Sequence, residues 1–420
     1  MVFHLRVLER LLSGPVSRNK VRLLFGARQT GKTRLLRQLL AGRPARIFDM
    51  QDGALRRRFE ADPSSFSREV RALPASIKTI VVDEIQKVPA LLDEVQGLHD
   101  AAPARRQFFL TGSSARRRRV RASNLLPGRS HAYQLHPVCA WEVNGPSELA
   151  LAAPPPPRRG PATPATGGRP SSTPFPFQSL ARVLRFGSLP GIRAESAATA
   201  HATLTTYVDH YLEEEIRREA LVRDLGPFAV FLRLGASQSG QQINVARLSQ
   251  ESGVPASTLK IYYQVLVDTF VGHWLTPYSR RTRKRLLTAP RFLFFDVGVR
   301  NAAAGLVPGP GLPDEIWGGL LEQWVGQELI ARAGYAGRGH GVSFWRTTYG
   351  AEVDFVWESP GEDIPIEVKW TARPRPTDAR HLETFLDEFK GRARRGLLVC
   401  RCPEPQQLTD RVRALPWDRL

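Results

Sequence analysis

Eight residues near the N-terminus have the types and spacing of a phosphate-binding loop. The stretch Gly26-Ala27-Arg28-Gln29-Thr30-Gly31-Lys32-Thr33 fits the pattern G-x-x-x-x-G-K-[ST], with an apolar run before it and a helical pattern after it. Backbone N–H groups of such a loop point toward phosphate, and the helix N-terminus adds partial positive charge. The spacing predicts that Lys32 contacts the β- and γ-phosphates of a nucleoside triphosphate and that Thr33 binds Mg²⁺.

A second apolar run, 79–82, ends in the carboxylates Asp83 and Glu84. Ligands of open parallel sheets lie at the carboxyl ends of the strands. We therefore expect Asp83 to hold Mg²⁺ through water, and Glu84 to orient and deprotonate the attacking water.

A third apolar run, 107–110, ends in small hydroxyl residues. Thr111 or Ser113 could sense the γ-phosphate or position the water, although each fits the end of an ordinary strand equally well. Five arginines follow between Arg116 and Arg121. A run of like charges is typical of a solvated surface, and nucleic acid or a neighbouring subunit's phosphates are the alternatives.

Four residues in the last hundred could form a second site. Glu322 lies in a helical pattern, Asp354 in a strand pattern, and Glu367 and Lys369 in the next strand pattern. Side chains two residues apart share one face of a strand, so Glu367 and Lys369 should point the same way. The three carboxylates would bind Mg²⁺ and Lys369 would position or activate water. A plain surface salt bridge between Glu367 and Lys369 is the alternative.

The apolar periodicity predicts the elements that position these residues. From Val21 to about Trp141, short apolar runs alternate with amphipathic stretches, which indicates an α/β domain with a doubly wound parallel sheet. The stretch 243–269 predicts a helix capped by Asn244, a turn at Gly253 and a second helix, and two β-rich runs follow. The basic residues between those runs would lie at a hairpin tip, the outline of a winged helix-turn-helix: Arg280, Arg281, Arg283, Lys284 and Arg285. The last hundred residues predict a mixed α/β unit.

Composition limits the classes of protein to consider. The 420 residues predict two to three domains, and the formal charge of +20 weakly favours an acidic partner, duplex DNA first. The apolar runs are too short for a membrane helix, and the N-terminus lacks the apolar core of a secretory signal, so we expect no membrane and a cytoplasmic location. Three cysteines are too few for a disulfide framework or a four-ligand zinc site.

Taken together, the motifs resemble the prokaryotic ATPases of the AAA superfamily that join an N-terminal P-loop domain to a C-terminal domain of unknown function with a nuclease-like core. The matching stretches are Gly26–Thr33, Val82–Gln86, Leu110–Ser114, Leu126–Arg129, Trp141-Glu142, Phe292–Gly298, Leu321–Val325 and Glu352–Val356. The resemblance implies that Arg129 closes the ATPase core, in cis, in trans or only structurally. The second candidate site resembles the E…D…E-x-K constellation of restriction-endonuclease-like folds.

A segment between residues 151 and 176 departs from that family pattern. It has nine prolines among 26 residues, and such a sequence buries too little apolar surface to offset its ordering entropy. We therefore expect four parts along the chain: an ATPase domain at 1–147, a disordered insert at 148–177, a helical and winged-helix domain at 178–310, and a restriction-endonuclease-like domain at 311–420.

The function expected is Mg²⁺-dependent binding and hydrolysis of ATP, coupled to a C-terminal module that contacts DNA and is nuclease-like. An ATP-dependent switch or scaffold that binds protein or nucleic acid without cleavage is the alternative. A small-molecule kinase would use the same loop, but the Asp83-Glu84 pair argues against it. A homo-oligomer stays open, because an arginine from a neighbouring subunit could complete the ATPase site.

Overall fold

A computed structural model describes residues 3–4, 6–14, 19–103, 105–114, 128–144, 172–173, 175–212, 225–278 and 289–420. The chain divides into two compact units, each built from several stretches. The first unit contains Met1–His136, Pro155–Phe175 and Asp268–Phe270; the second contains Pro137–Pro154, Pro176–Val267 and Val271–Leu420. The segments predicted as separate domains at 178–310 and 311–420 thus belong to one unit.

Four sequence predictions fall wholly or largely outside the described residues. These are the arginine run 116–121, the proline-rich segment, the basic hairpin tip 280–285 and the second half of the helix predicted at 204–221.

The first unit is a parallel α/β sheet with helices in its crossovers. Its elements are β1 (Phe3–His4), α1 (Val7–Ser13), β2 (Val21–Phe25), α2 (Lys32–Leu39), β3 (Ala45–Asp49), α3 (Gly53–Ala61), α4 (Ser64–Ala72), β4 (Thr79–Asp83), α5 (Leu91–Ala101), β5 (Gln107–Gly112), β6 (Ser130–Gln134) and β7 (Ser172–Thr173). The main sheet has the order β3-β4-β5-β2-β6 and every pairing in it is parallel. The predicted doubly wound sheet is confirmed for this unit.

Strand order decides where the candidate residues meet. Because β5 lies between β2 and β4, the carboxyl ends of the three strands are neighbours. These strands read as continuous apolar runs because helices cover both faces of the sheet. Every residue of β2 and β4 is buried.

The second unit begins with helices and a pair of strands. They are α6 (Ala140–Asn144), α7 (Leu180–Phe186), α8 (Pro190–Arg193), α9 (Ala197–Thr206), a π-helix (Tyr207–Leu212), α10 (Leu225–Ser237), α11 (Val245–Ser252), α12 (Ala256–Asp268), β8 (Gly272–Pro277), β9 (Arg291–Phe294) and α13 (Val297–Ala304). The Asn244 side chain caps α11 by accepting from Arg247 N at 3.0 Å, and Gly253 ends that helix with φ 70°. The predicted helix, turn and helix are confirmed at 243–269.

The C-terminal part of this unit is built on a mixed sheet. Its elements are α14 (Asp314–Ala336), β10 (Gly341–Arg346), β11 (Glu352–Glu358), β12 (Ile364–Val368), α15 (Arg380–Glu388), β13 (Gly396–Cys400), β14 (Gln406–Gln407) and β15 (Val412–Pro416). The strands form one eight-stranded sheet in the order β14-β15-β13-β12-β11-β10-β8-β9. Because β8 and β9 extend the sheet of β10 to β15, the winged-helix and C-terminal predictions describe one unit.

Apolar clusters lie on both faces of that sheet. On one face, α14 contributes Trp324 and Val325 to a cluster with Phe355 of β11. On the other face, α15 contributes Phe385 to a cluster with Val353. The register between β10 and β11 shifts between Ser343 and Trp345, and such a bulge re-aims nearby side chains.

Two buried helices meet at a glycine in the second unit. Gly298, in the first turn of α13, lies against the end of α7, where a Cβ atom would come within 2.2 Å of Phe186 O. The Asp296 carboxylate caps α13 through Gly298 N and Val299 N and also accepts from Ser188 N at 2.7 Å. The D-x-G spacing at 296–298 therefore serves a tight helix junction.

A buried carboxylate attaches α6 to α14. Glu328 Oε2 accepts from Ala140 N at 2.9 Å, and the side chain is 2% exposed. Burial raises the pKa of Glu328 to about 7, although Arg332 lowers it in part. Arg332 also lies over the Trp141 ring, with Cζ 4.4 Å from the centroid.

The raised pKa of Glu328 has a consequence for the pH dependence of stability. The folded state favours the protonated carboxyl, so this group loses stabilising free energy as pH rises from about 4.5 to about 7. We expect the unfolding free energy of Glu328→Gln, relative to that of wild type, to increase by about 2 to 3 kcal/mol as the pH rises from 5 to 8. Denaturant unfolding of both proteins across that range measures this; a difference that stays constant with pH would contradict it.

Candidate functional site

The predicted phosphate loop joins β2 to α2 as expected. Gly31 precedes α2 with φ 94°, a conformation that glycine adopts without strain. At Gly26 a Cβ atom would lie 2.4 Å from Leu135 O, so only glycine fits there. The Lys32 Nζ donates to Gly26 O at 2.8 Å and Ala27 O at 2.9 Å. The ammonium group is therefore held inside the loop, where the resemblance places phosphate.

The two residues predicted to bind Mg²⁺ are hydrogen-bonded to each other. Thr33 Oγ1 donates to Asp83 Oδ2 at 2.8 Å, and Thr111 Oγ1 donates to the other oxygen of Asp83. Hydroxyl and carboxylate oxygens are the donors that Mg²⁺ prefers, and it is commonly held by one or two carboxylates together with substrate phosphates. Thr33 and Asp83 therefore fit the ion, and Thr111 orients the carboxylate.

Glu84 is held by two polar side chains. Its backbone has φ 57°, an uncommon value for a residue with a side chain, and its N–H donates to Thr111 Oγ1 at 3.2 Å. The Gln86 amide donates to Glu84 Oε2 and to Ser113 Oγ, the latter at 3.1 Å. Ser113 Oγ lies 3.4 Å from the same oxygen of Glu84. Gln86 and Ser113 therefore fix the direction of the Glu84 carboxylate.

Two residues of this site were not predicted. Gln86 follows the carboxylate pair in a 3-10 turn, Ile85–Lys87, and its polar side chain beside Glu84 was the available signal. Arg6 is 5% exposed and donates to Thr30 O at 3.1 Å and to His136 O at 2.6 Å. Nothing in the sequence near Arg6 indicates its place at the loop, because the contact spans distant parts of the chain.

We expect Gln86→Ala to lower kcat for ATP hydrolysis by roughly 10- to 100-fold with ATP affinity nearly unchanged. A base that is misplaced by about 1 Å loses rate without losing ground-state binding. Steady-state turnover and equilibrium binding of ATP measure the two effects separately. Gln38→Ala is the matched control, since the Gln38 amide donates to Glu9 at 3.2 Å and should leave turnover within a factor of two. A lower affinity with normal kcat would contradict this role.

Arg129 does not lie at the phosphate loop of its own chain. β2 and β6 are parallel with Val21 opposite Ser130, so Arg129 is next to the start of β2, while Gly26 follows its end. Five residues of strand span about 16 Å. The Arg129 Nε contacts Asp100 Oδ1 at 2.5 Å. Arg129 thus lies near the end of β2 that is remote from the phosphate loop, and its role in trans or in the structure alone stays a prediction.

The four residues predicted for the second site lie on neighbouring elements. Glu367 Oε1 contacts Lys369 Nζ at 2.7 Å, which confirms that the two share a face. The pairing of Phe355 with Ile366 places Asp354 opposite Glu367, and Asp354 Oδ2 accepts from Val368 N at 2.8 Å. Glu322 of α14 accepts from Arg291 Nη1 at 3.1 Å.

The pKa values of the three carboxyls show that they are electrostatic neighbours. Burial and, to a smaller extent, the nearby Asp354 raise the pKa of Glu322 to about 8. Burial and Asp354 likewise raise the pKa of Glu367 to about 7. The pKa of Asp354 is also raised by burial, although Val368 N, Arg291 and Lys369 oppose that shift. Each carboxylate would thus be stabilised by added positive charge.

The arrangement departs from a ready-made metal site. Within the described residues, no three His, Cys, Asp or Glu side chains form a group that could hold a metal ion. Cations contact two of the carboxylates, with Arg291 at Glu322 and Lys369 at Glu367. One acceptor remains, because Glu367 Oε2 is buried and has no hydrogen-bond partner in the described part of the chain.

Comparison with known families agrees with the geometry of the first unit. Residues 18–144 match the family described as an AAA domain. The N-terminal part of the chain is thus similar to an AAA domain. The match supports ATP binding and hydrolysis by the P-loop described above. Downstream of the AAA domain, residues 177–309 and 317–420 match two domains of unknown function, DUF8612 and DUF4143.

Two uncharacterized proteins and two solved structures are similar to this chain. The uncharacterized proteins Mb2031c of Mycobacterium bovis and Rv2008c of Mycobacterium tuberculosis are each 24% identical over 409 residues, 96% of this chain and 81% of theirs. The Walker-type ATPase PABY2304 of Pyrococcus abyssi is 13% identical with TM-score 0.42, over 70% of this chain and 94% of that one. Protein VC1899 of Vibrio cholerae is 14% identical with TM-score 0.19, over 95% and 94%.

No helix in the described ranges is long and apolar enough to cross a bilayer.

Proposed function

We propose that the protein binds ATP with Mg²⁺, hydrolyses it, and uses the nucleotide state to act on a C-terminal module that contacts duplex DNA. The observation that carries the ATPase part is the set of side chains at the adjoining ends of β2, β4 and β5. Lys32 sits in the phosphate loop, Thr33 is bonded to Asp83, and Glu84 is held beside Ser113. The AAA domain match supports the same chemistry.

Each side chain has a distinct part in that chemistry. The Lys32 ammonium would exchange the carbonyls of Gly26 and Ala27 for phosphate oxygens, which carry more charge. Thr33 and Asp83 would hold Mg²⁺, which neutralises charge on the phosphates when bound. Glu84, directed by Gln86 and Ser113, would accept a proton from the attacking water. Thr111 would hold Asp83 and Glu84 in place, because its hydroxyl donates to the Asp83 carboxylate and accepts from the Glu84 N–H.

DNA contact is supported by the arrangement of helices and by charge. The helices α11 and α12 are followed by the antiparallel pair β8 and β9, as in a winged helix-turn-helix. Ser257, Thr258 and Lys260 lie in the first turns of α12, where Ser257 and Lys260 are exposed and Thr258 is partly exposed, as phosphate contacts require. The chain carries a formal charge of +20.

The experiment is ATP turnover with and without duplex DNA, with Lys32→Ala and Glu84→Gln as controls. If DNA stimulates ATP turnover in wild type and not in the two variants, the ATPase site is coupled to DNA contact. ATP turnover that is the same with and without DNA contradicts the coupling. DNA binding that does not weaken steeply with salt, or that survives neutralisation of the basic residues between 280 and 285, contradicts the DNA contact. Turnover only with a small acceptor would favour a kinase instead.

A second candidate function is phosphodiester cleavage at the C-terminal site. The strands β10, β11 and β12 form an antiparallel meander, and α15 then leads to β13, which is parallel to β12. Asp354 lies on β11, Glu367 on β12 and Lys369 directly after β12, and this arrangement supports the proposal of an endonuclease-like core. Asp354 and Glu367 would hold Mg²⁺, and Lys369 would position the hydrolytic water.

Asp354→Ala and Lys369→Ala should each abolish Mg²⁺-dependent nicking of duplex DNA. Nicking that persists in both variants would show that the activity comes from elsewhere. Wild type that binds DNA without nicking it would favour the regulatory scaffold.

A further inference from the structure

A recess of about 90 Å³ lies in the first unit, between the last turns of α4 and α5 and the start of β5. Its apolar walls include Val70 of α4, Leu98 of α5 and Phe108 of β5. One water molecule takes up about 30 Å³ in the liquid, so the recess holds about three water molecules or an apolar group of about three carbon atoms. It is separate from the ATPase site, because Thr111 lies about 10 Å beyond Phe108, toward the other end of β5.

Three arginines line the same recess, which is called the arginine recess below. Arg71 ends α4 and is exposed, as is Arg105, whereas the neighbouring Arg106 is 7% exposed. The Arg106 guanidinium donates to the carbonyl oxygens of Leu73, at 2.7 Å, and Ile77. Among the described residues of the first unit, the ion pairs are made by other arginines. The arginine recess therefore collects positive charge that no described carboxylate offsets.

The charge and the walls together define the chemistry of a ligand. Burial and, to a smaller extent, the charge of Arg105 lower the pKa of the Arg106 guanidinium, and a bound anion would relieve that repulsion. Guanidinium groups bind carboxylates through paired, charge-assisted hydrogen bonds. An inorganic anion would leave the apolar walls in contact with water, and a neutral apolar molecule would leave the charges unmatched. A ligand that meets both demands has a carboxylate and a short apolar chain.

We propose that the arginine recess binds a small carboxylic acid in its ionised form, with an apolar chain of about three carbon atoms. The chain packs against Val70, Leu98 and Phe108, and the carboxylate binds at Arg71 and Arg105, which are exposed to solvent. Arg106, which is bonded to backbone carbonyl groups, contributes its charge. The site is independent of the ATP chemistry proposed above and shares no residue with it.

The test is binding of butyrate to the full chain without nucleotide, followed by saturation-transfer NMR of the butyrate methyl group. Butyramide has nearly the same shape without the charge, and acetate has the charge without the chain. We expect butyrate to bind at least about tenfold more tightly than either. Equal binding of butyramide would overturn the role of the arginines, and equal binding of acetate would overturn the role of the apolar walls. Absence of butyrate binding overturns the proposal.

Arg71→Gln and Arg105→Gln should each weaken butyrate binding at least about threefold, and the double variant at least about tenfold. Arg43→Gln is the matched control, because Arg43 is an exposed arginine of the same unit, between α2 and β3, and does not line the recess. Its butyrate affinity should stay within about twofold of wild type. An equal loss in Arg43→Gln would overturn the proposal, because net charge alone would then explain the binding.

A filled recess separates binding inside it from binding to arginines on the open surface. Ala102 also lines the recess, and Ala102→Leu would occupy it while leaving the three arginines in place. We expect butyrate affinity to fall at least about fivefold in this variant. Unchanged affinity would place butyrate outside the recess and overturn the proposal. ATP affinity, measured on every variant, reports whether the first unit is folded. If Ala102→Leu does not fold, the arginine variants decide, since Arg71 and Arg105 are exposed.

Discussion

Glu84→Gln is expected to lower ATP turnover by roughly 10²- to 10⁴-fold while ATP remains bound. The amide has the shape of the carboxylate but cannot accept the proton of the attacking water. Gln86 and Ser113 both contact one carboxylate oxygen of Glu84. The amide that replaces the carboxylate still has one oxygen that can accept these contacts. Binding depends instead on Lys32 and the loop backbone, which the substitution does not touch.

Turnover of ATP and equilibrium binding of ATP should be measured on the same preparation. Lys32→Ala should weaken ATP binding at least about tenfold, because it removes a charge-assisted contact to phosphate. Lys78→Ala is the matched control, since Lys78 directly precedes the start of β4, at the sheet edge opposite the loop. Lys78→Ala should change neither ATP turnover nor ATP affinity. Turnover in Glu84→Gln within threefold of wild type would remove Glu84 from the chemistry.

Gly298→Ala should destabilise the second unit by more than about 4 kcal/mol, enough to abolish its folding. The added Cβ would lie 2.2 Å from Phe186 O and 2.3 Å from Phe186 C, and both are backbone atoms that cannot rotate away. Relief would need a shift of α7 against α13, in a closely packed region where Asp296 also bonds to Ser188 N. Denaturant unfolding or the yield of folded protein measures the effect.

Gly319→Ala provides the control for that substitution. Gly319 also lies in a helix of the second unit, α14, but no atom lies within 4 Å of its would-be Cβ. Alanine is the better helix former, so this variant should be unchanged or more stable by up to about 1 kcal/mol. Equal loss in both variants would show that helix propensity matters more than the close approach at Gly298.

The sequence was sufficient for the phosphate loop because its chemistry is local. Gly26 to Thr33 and Asp83-Glu84 each lie at a strand end, and the parallel strands bring those ends together at one sheet edge. The position of Arg129 was not predicted, because it depends on which end of β6 the residue occupies, and the motif alone does not give the strand boundary. Arg6 was missed because its partners, Thr30 and His136, are remote along the chain.

At the second site, too, the sequence predicts the contacts between residues close together in the chain but not those between distant ones. The spacing of Glu367 and Lys369 on one strand predicted their contact, which the structure confirms at 2.7 Å. The partner of Glu322 could not be predicted, because Arg291 reaches it from β9 through long-range pairing of the sheet. Charge neutralisation inside a core depends on which strands become neighbours. Residue types alone therefore indicated the carboxylates but not the cation beside them.

The helix α6 limits how the chain can be divided. The AAA domain match runs to residue 144, yet residues from Pro137 onward belong to the second unit, where Glu328 caps the backbone of Ala140. A fragment cut at the end of the match would separate α6 from the second unit and leave the buried Glu328 without its hydrogen bond from Ala140 N. A division of the chain in this region should therefore fall before Pro137, so that α6 stays with the second unit.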